Sequence, residues 1–188
     1  MDQDVQDAAL MAQQAYRLGN QQDVNGWKVD PGLSNSSTTV YHNPEKNSVT
    51  FAHRGTDPNK IRDHLANGLL ALGLTKYSNR YKRSENAVLE AQKKFGDTVD
   101  YNQVGHSAGG TTSILLGTKY KHRGHAFNPG FTPFNKHDYI HDGIVIHHVI
   151  GDAISSVLTA PRDALKNVKL YLPRRKNPHS LNNFIKKK

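Results

Sequence analysis

The chain has 188 residues, 36% of them hydrophobic, no cysteine and a formal net charge of +9, which suits one domain with a modest core and a very polar surface. The absence of cysteine excludes disulfides, thiolate metal sites and a cysteine nucleophile. The start Met1-Asp2-Gln3-Asp4 is acidic rather than basic and then apolar, and the longest apolar run, Leu69 to Leu74, is far too short to span a bilayer. A protein with no secretory signal and no transmembrane segment is therefore expected.

In chain order, Val5, Ala8, Leu10, Met11, Ala15 and Leu18 recur at helical spacing, and Gly19-Asn20 closes the pattern, predicting a helix over 3–18. Residues 27–29 and 38–41 read as short strands. A turn at Asn43-Pro44 leads into a buried strand over 48–52, making a hairpin. After the loop His53-Arg54-Gly55-Thr56-Asp57-Pro58, residues 61–74 and 84–95 each carry a helical apolar stripe. A strand over 99–104 enters the next helix, 108–120. Further strands are expected at 125–127 and 143–149, a short helix at 160–168, an edge strand at 169–172 and a last helical turn over 179–185. Strands that alternate with helices predict an α/β architecture: a mostly parallel central sheet with helices on both faces, in one domain over 1–188. Only the basic end, 186–188, reads as a tail.

The most informative segment is Val104-Gly105-His106-Ser107-Ala108-Gly109-Gly110, which contains Gly-x-Ser-x-Gly between a strand and a helix. A serine on such a turn is held in strained backbone with its hydroxyl projecting above the sheet, as α/β-hydrolases present a nucleophile. The hydroxyl needs a histidine to take its proton, and a carboxylate to hold that histidine's tautomer. In this architecture the chain order is serine, acid, histidine. Among the later acids, Asp138 and Asp142 precede the 143–149 strand and fall at its wrong end, and Asp163 reads as a first-turn helix residue. Asp152 follows the strand and a glycine, at the strand end where active-site loops gather. The order then leaves His179 as the base.

Acyl transfer also requires donors for a tetrahedral oxyanion. The N–H of Ala108, directly after the nucleophile, is one; Thr56, with its N–H and hydroxyl, is the second. Arg54 is expected to pair with a carboxylate beneath its loop, such as Asp63. His106 is expected to hydrogen-bond the sheet.

Together these segments carry a resemblance: Phe51-Ala52-His53-Arg54-Gly55-Thr56, Gly105-His106-Ser107-Ala108-Gly109-Gly110, Phe127-Asn128-Pro129-Gly130, Asp152, and His179 in a His-Ser-Leu-x-x-Phe setting. In that order they resemble the fungal-lipase-like (class 3) family over about residues 5–185. The resemblance implies an α/β-hydrolase fold, no cofactor, hydrolysis of acylglycerol or phospholipid esters, and the roles above for Ser107, Asp152, His179 and Thr56. Ala108 stands where the family usually has leucine, and the chain is short for a secreted lipase. Length and the missing signal are more similar to compact intracellular or virus-encoded members, which implies a cytoplasmic or virion-associated protein.

Charge bears on partners. Residues 1–60 hold 5 Lys or Arg against 7 Asp or Glu, whereas residues 61–188 hold 20 against 9, with clusters at Arg80-Tyr81-Lys82-Arg83, Arg174-Arg175-Lys176 and Lys186-Lys187-Lys188. This asymmetry suits an anionic membrane surface as readily as a plain solubilising face. No helix-turn-helix or aromatic-interleaved pattern accompanies it, so sequence-specific nucleic-acid binding is not expected. Leu65, Leu69, Leu70, Leu72 and Leu74 read as a lid or as a core-facing helix, and Phe127, Phe131, Phe134 and Tyr139 as lipid contacts or as buried anchors. The 11 histidines include His137/His141, His147/His148 and His122/His125, but no His-Glu-x-x-His and no grouped acids, so no metal site is expected.

Overall fold

Seven strands lie side by side in the order of the chain: β1 (Lys28–Val29), β2 (Thr38–Asn43), β3 (Ser48–His53), β4 (Asp100–His106), β5 (Arg123–Phe127), β6 (Ile144–Val149) and β7 (Val168–Tyr171). The structure is a computed structural model, and it describes residues 2–56, 78–130, 143–152 and 167–186. The first three strands pair antiparallel and β3 through β7 pair parallel. The sheet is therefore mixed, with its parallel part continuous and carrying the Gly-x-Ser-x-Gly motif at the end of β4. It is an α/β-hydrolase fold.

Alternation along each strand sends side chains to two separate cores. Tyr41, Ala52, Val104, Phe127 and Val149 face one side, where they pack with Val5, Ala8, Met11 and Ala12 of helix α1 (Gln3–Gln14). Val40, Val49 and Phe51 face the other, against Tyr81, Ala87, Val88 and Ala91 of α2 (Asn79–Phe95) and Leu115 and Leu116 of α3 (Ala108–Tyr120). Helices thus cover both faces, as a sheet buried on both sides requires.

Several boundaries differ from the periodic reading. The α-helix α1 ends at Gln14 rather than at Leu18, and tightened turns follow, with Tyr16 N–H donating to Gln13 and Arg17 N–H to Gln14. Leaving the helical path there carries Tyr16 to the end of β4. Helix α2 starts five residues before Ser84, with Ser78 as its cap accepting from Tyr81 N–H. The run Arg80–Arg83 disguises this turn, since one apolar anchor, Tyr81, sits among three cations. Val168 belongs to β7 and not to a helix. The final turn is a short 3-10 helix, Leu181–Asn183, pinned by buried Leu181 and Phe184. The expected helix over 61–74, the leucines 65–74, Phe131, Phe134, Tyr139, His137, His141, Asp138, Asp142 and Asp163 lie outside the described residues. Phe127 is a fully buried core residue, so it is an anchor and not a lipid contact. No helix among the described residues is long and apolar enough to cross a membrane.

Candidate active site

Ser107 caps α3 directly after β4, with φ 57° and ψ −126°. A non-glycine residue in this region stores strain, and such strain collects at functional sites. Close packing enforces it. A Cβ on Gly105 would overlap the Gly109 backbone, and one on Gly109 would overlap the His53 carbonyl, so both motif glycines are dictated by approach distance. Ser107 N–H donates to the Phe127 carbonyl at 3.0 Å and its carbonyl accepts from Thr111 N–H at 3.1 Å, tying the elbow to β5 and to α3.

Asp152 follows β6, after the turn at Ile150-Gly151, and His179 sits on the loop after β7. Asp152 Oδ2 and His179 Nδ1 are 2.8 Å apart, with both side chains buried. A carboxylate oxygen only accepts, so Nδ1 carries a proton and donates it to Asp152. Nε2 is buried without a hydrogen-bond partner among the described residues. The carboxylate and imidazole expected from chain order are therefore brought together, and the imidazole is held beside the elbow through His106.

That contact departs from the sheet-bonding role expected of His106. Its Nε2 lies 2.7 Å from the His179 carbonyl and its ring 4.7 Å from the His179 ring, while Nδ1 lies 3.0 Å from the Tyr16 hydroxyl. The carbonyl cannot donate, so Nε2–H donates to it and Nδ1 accepts from Tyr16 O–H. Burial, with His179 adding to it, pushes the His106 pKa down to about 3, so the ring stays neutral and keeps this tautomer.

The loop that carries His179 has further supports that sequence reasoning missed. Asn183 Nδ2 donates to the carbonyls of Asn177, Pro178 and Ser180, and Asn183 Oδ1 accepts from Arg174 and Arg175 N–H. Asn177 Oδ1 caps His179 N–H at 3.0 Å. Asn128, at φ 40°, donates to the Pro178 carbonyl and accepts from Val149 N–H, joining the ends of β5 and β6 to this loop. The Asn-Pro-Gly run after β5 was the one signal for Asn128. Nothing in the spacing marks Tyr16, Asn177 or Asn183.

Ala108 is the first residue of α3, where N–H groups have no intrahelical acceptor. Half-buried Thr56 ends a loop whose Gly55 lies so close that a Cβ there would overlap the Tyr16 hydroxyl and sit 2.6 Å from the His106 carbonyl. The two expected oxyanion donors thus flank the same elbow. Arg54, expected to pair with Asp63, has no carboxylate partner among the described residues, and its Nε is buried without an acceptor; Asp63 lies outside them. A separate cleft of about 470 Å³, lined by Asp4, Lys46, Asp100, Arg123 and His125, opens where β4 and β5 begin, at the opposite end of the strands from Ser107. His147 bonds His125 and Tyr171 in a buried chain, and no metal-holding group of His, Asp or Glu occurs among the described residues.

No protein-family model matches the chain, and no curated protein matches it in sequence. Its fold is similar to those of several fungal lipases. The Lip2 lipase of Yarrowia lipolytica superposes with a TM-score of 0.64 at 14% identity, over 96% of this chain and 83% of that one. A triacylglycerol lipase from Penicillium expansum gives 0.61 at 15% identity, over 91% and 79%. The Rhizomucor miehei lipase propeptide complex gives 0.56 at 13% identity, over 95% and 75%. At these identities the likeness is one of fold.

Proposed function

We propose that the protein is a serine ester hydrolase that cleaves acyl esters of lipids through an acyl-enzyme. The observation that carries this reading is the buried Asp152–His179 hydrogen bond, on a loop whose His179 carbonyl is tied to His106, the residue before a serine in strained backbone. In the first half-reaction Nε2 takes the Ser107 Oγ proton as the oxygen attacks the acyl carbonyl, and Asp152 stabilises the imidazolium without taking its proton. The N–H groups of Ala108 and Thr56 hold the oxyanion. His179 then gives its proton to the departing alcohol. Water, deprotonated by the same nitrogen, attacks the ester of Ser107 and releases the acid. The fold shared with triacylglycerol lipases supports a lipid ester as substrate, and the basic charge of residues 61–188 favours an anionic interface.

The deciding experiment is covalent labelling by a fluorophosphonate, together with turnover of a soluble short-chain ester. Labelling of the native chain and none of Ser107→Ala is expected. A native chain that neither labels nor turns over ester would leave a binding or structural protein on a lipase fold.

A further inference from the structure

Three guanidinium groups gather at the edge of the loop that leads to Thr56. Arg80 Nη1 donates to the Arg54 carbonyl at 3.3 Å. Arg54 N–H donates to the Ser37 carbonyl at 2.9 Å, and the hydroxyl of that same Ser37 accepts from Arg83 Nε at 3.0 Å. Arg80 and Arg83 are three apart on α2 and so share a face. The two short tethers, one to the Arg54 carbonyl and one to its neighbour Ser37, hold the Arg80 and Arg83 side chains along the Arg54 backbone, and the charges of Arg54 and Arg83 are both felt at Arg80. Among the described residues, Lys46, Lys93, Lys94 and Lys119 each have a carboxylate within 3.3 Å, yet no carboxylate bonds Arg54, Arg80 or Arg83.

Like charges held together at the positive end of a helix repel, and α2 has no acid in its first turn to offset them. The mutual cost is visible at Arg80, whose proton affinity is lowered by burial and by the charges of Arg54 and Arg83. Arginine forks match phosphate oxygens in geometry as well as charge. Location gives the cluster a substrate-level meaning. The Arg54 backbone packs against Gly109, two residues after Ser107, and its own loop carries Thr56. In a glycerophospholipid the phosphate is only a few bonds from the ester that would be cleaved.

We propose that Arg54, Arg80 and Arg83 form a subsite for the head-group phosphate of an anionic phospholipid, directing the site toward charged rather than neutral acyl esters. This rests on the hydrolase reading for its consequence, but not for its binding chemistry. Two arms test it. In the first, Ser107→Ala protein is titrated calorimetrically with monomeric dihexanoylphosphatidylglycerol and with uncharged dihexanoylglycerol. The phospholipid is expected to bind at least tenfold more tightly, and R80Q/R83Q in the same background to abolish the difference. Competition by millimolar inorganic phosphate without a preference for the phospholipid would assign the cluster to free phosphate and overturn the lipid subsite.

In the second arm the ratio of kcat/KM for the two esters is measured in the native chain and in R80Q/R83Q. A fall of that ratio by tenfold or more supports the subsite; an unchanged ratio, including an equal loss on both esters, overturns it. If the native chain cleaves neither ester and resists labelling, the hydrolase reading fails while the titration still decides the subsite. Melting temperature is a further check. Removal of repelling charges is expected to hold or raise it, and a clear drop would mark the arginines as structural instead.

Discussion

The ring of His106 holds the backbone carbonyl of His179 through a 2.7 Å hydrogen bond, so the residue before Ser107 positions the loop that carries His179. Tyr16, arriving from the end of α1, fixes which nitrogen of His106 donates. Ser107 and the His179 loop are thereby referenced to one point at the end of β4. Misplacement of a reacting group by an ångström can cost about a hundredfold in rate.

His106→Phe is accordingly expected to lower kcat for a soluble ester by about 10- to 100-fold with little change in KM. Gln at this position, which keeps a donor, should recover part of the loss. Tyr16→Phe should show a smaller effect of the same kind. Steady-state kinetics decide it: an effect confined to KM would mean that His106 shapes substrate binding and does not position the base.

Strain at Ser107 makes a stability prediction opposite in sign to its effect on activity. Gly adopts φ 57° and ψ −126° without a Cβ penalty. Ser107→Gly should therefore abolish turnover while stabilising the fold by about 1–3 kcal/mol. Ser107→Ala, which keeps the Cβ, should lose activity without that gain. Thermal melts of the two variants side by side would show a higher midpoint for glycine; equal midpoints would argue that the backbone is relaxed there.

Asn183 makes five hydrogen bonds within the base loop. Each such bond contributes about 1 kcal/mol, and an orphaned partner costs more. Asn183→Ala is expected to loosen residues 173–180 locally, reducing kcat at least tenfold and speeding tryptic cleavage at Arg174, Arg175 and Lys176. Proteolysis at native rates with full activity would mean the loop keeps its shape without the asparagine.

Acid should destabilise the fold well above the carboxylate range. Burial pushes the pKa of His53 and His125 down to about 4 and of His106 and His147 to about 3. In the unfolded chain these rings titrate near 6.5. A depressed folded pKa means the unfolded state binds more protons between the two values, so stability is complete above about pH 6.5 and falls toward pH 3–4. Urea unfolding between pH 7 and 4.5 should show a steep decline, and a flat profile across that range would contradict the neutral, buried state of these rings. His53 supplies a structural reason for steepness, because it is the middle of a buried chain with Thr38 and Gln103. Nε2–H already donates to Gln103 Oε1, so a second proton would go on Nδ1 and force the Thr38 hydroxyl to turn from donor to acceptor.

Much of the fold follows from local pattern. Short β-like and apolar runs placed β2, β3 and β6, and a helical stripe placed α1 and most of α2, because each element buries a face and that burial is written residue by residue. Boundaries failed where a tertiary contact overrode the pattern. Tyr16 leaves the helical path for His106, and the first turn of α2 is held by a Ser78 cap and one buried tyrosine beneath a cationic surface.

For the site the division is similar. Motif spacing and chain order were enough to nominate Ser107, Asp152, His179, Thr56 and Ala108, because chemistry restricts which residue types can serve and topology restricts their order. Tertiary structure alone decided the bond of His179 Nδ1–H to Asp152, the neutral ring of His106 as its support, the asparagine bonds that shape the His179 loop, and the meeting of Arg54 with Arg80 and Arg83. Each depends on which polar atoms from distant segments come within 2.7 to 3.3 Å of one another. Sequence records residue types along the chain, whereas a hydrogen bond between them is a property of distance in space.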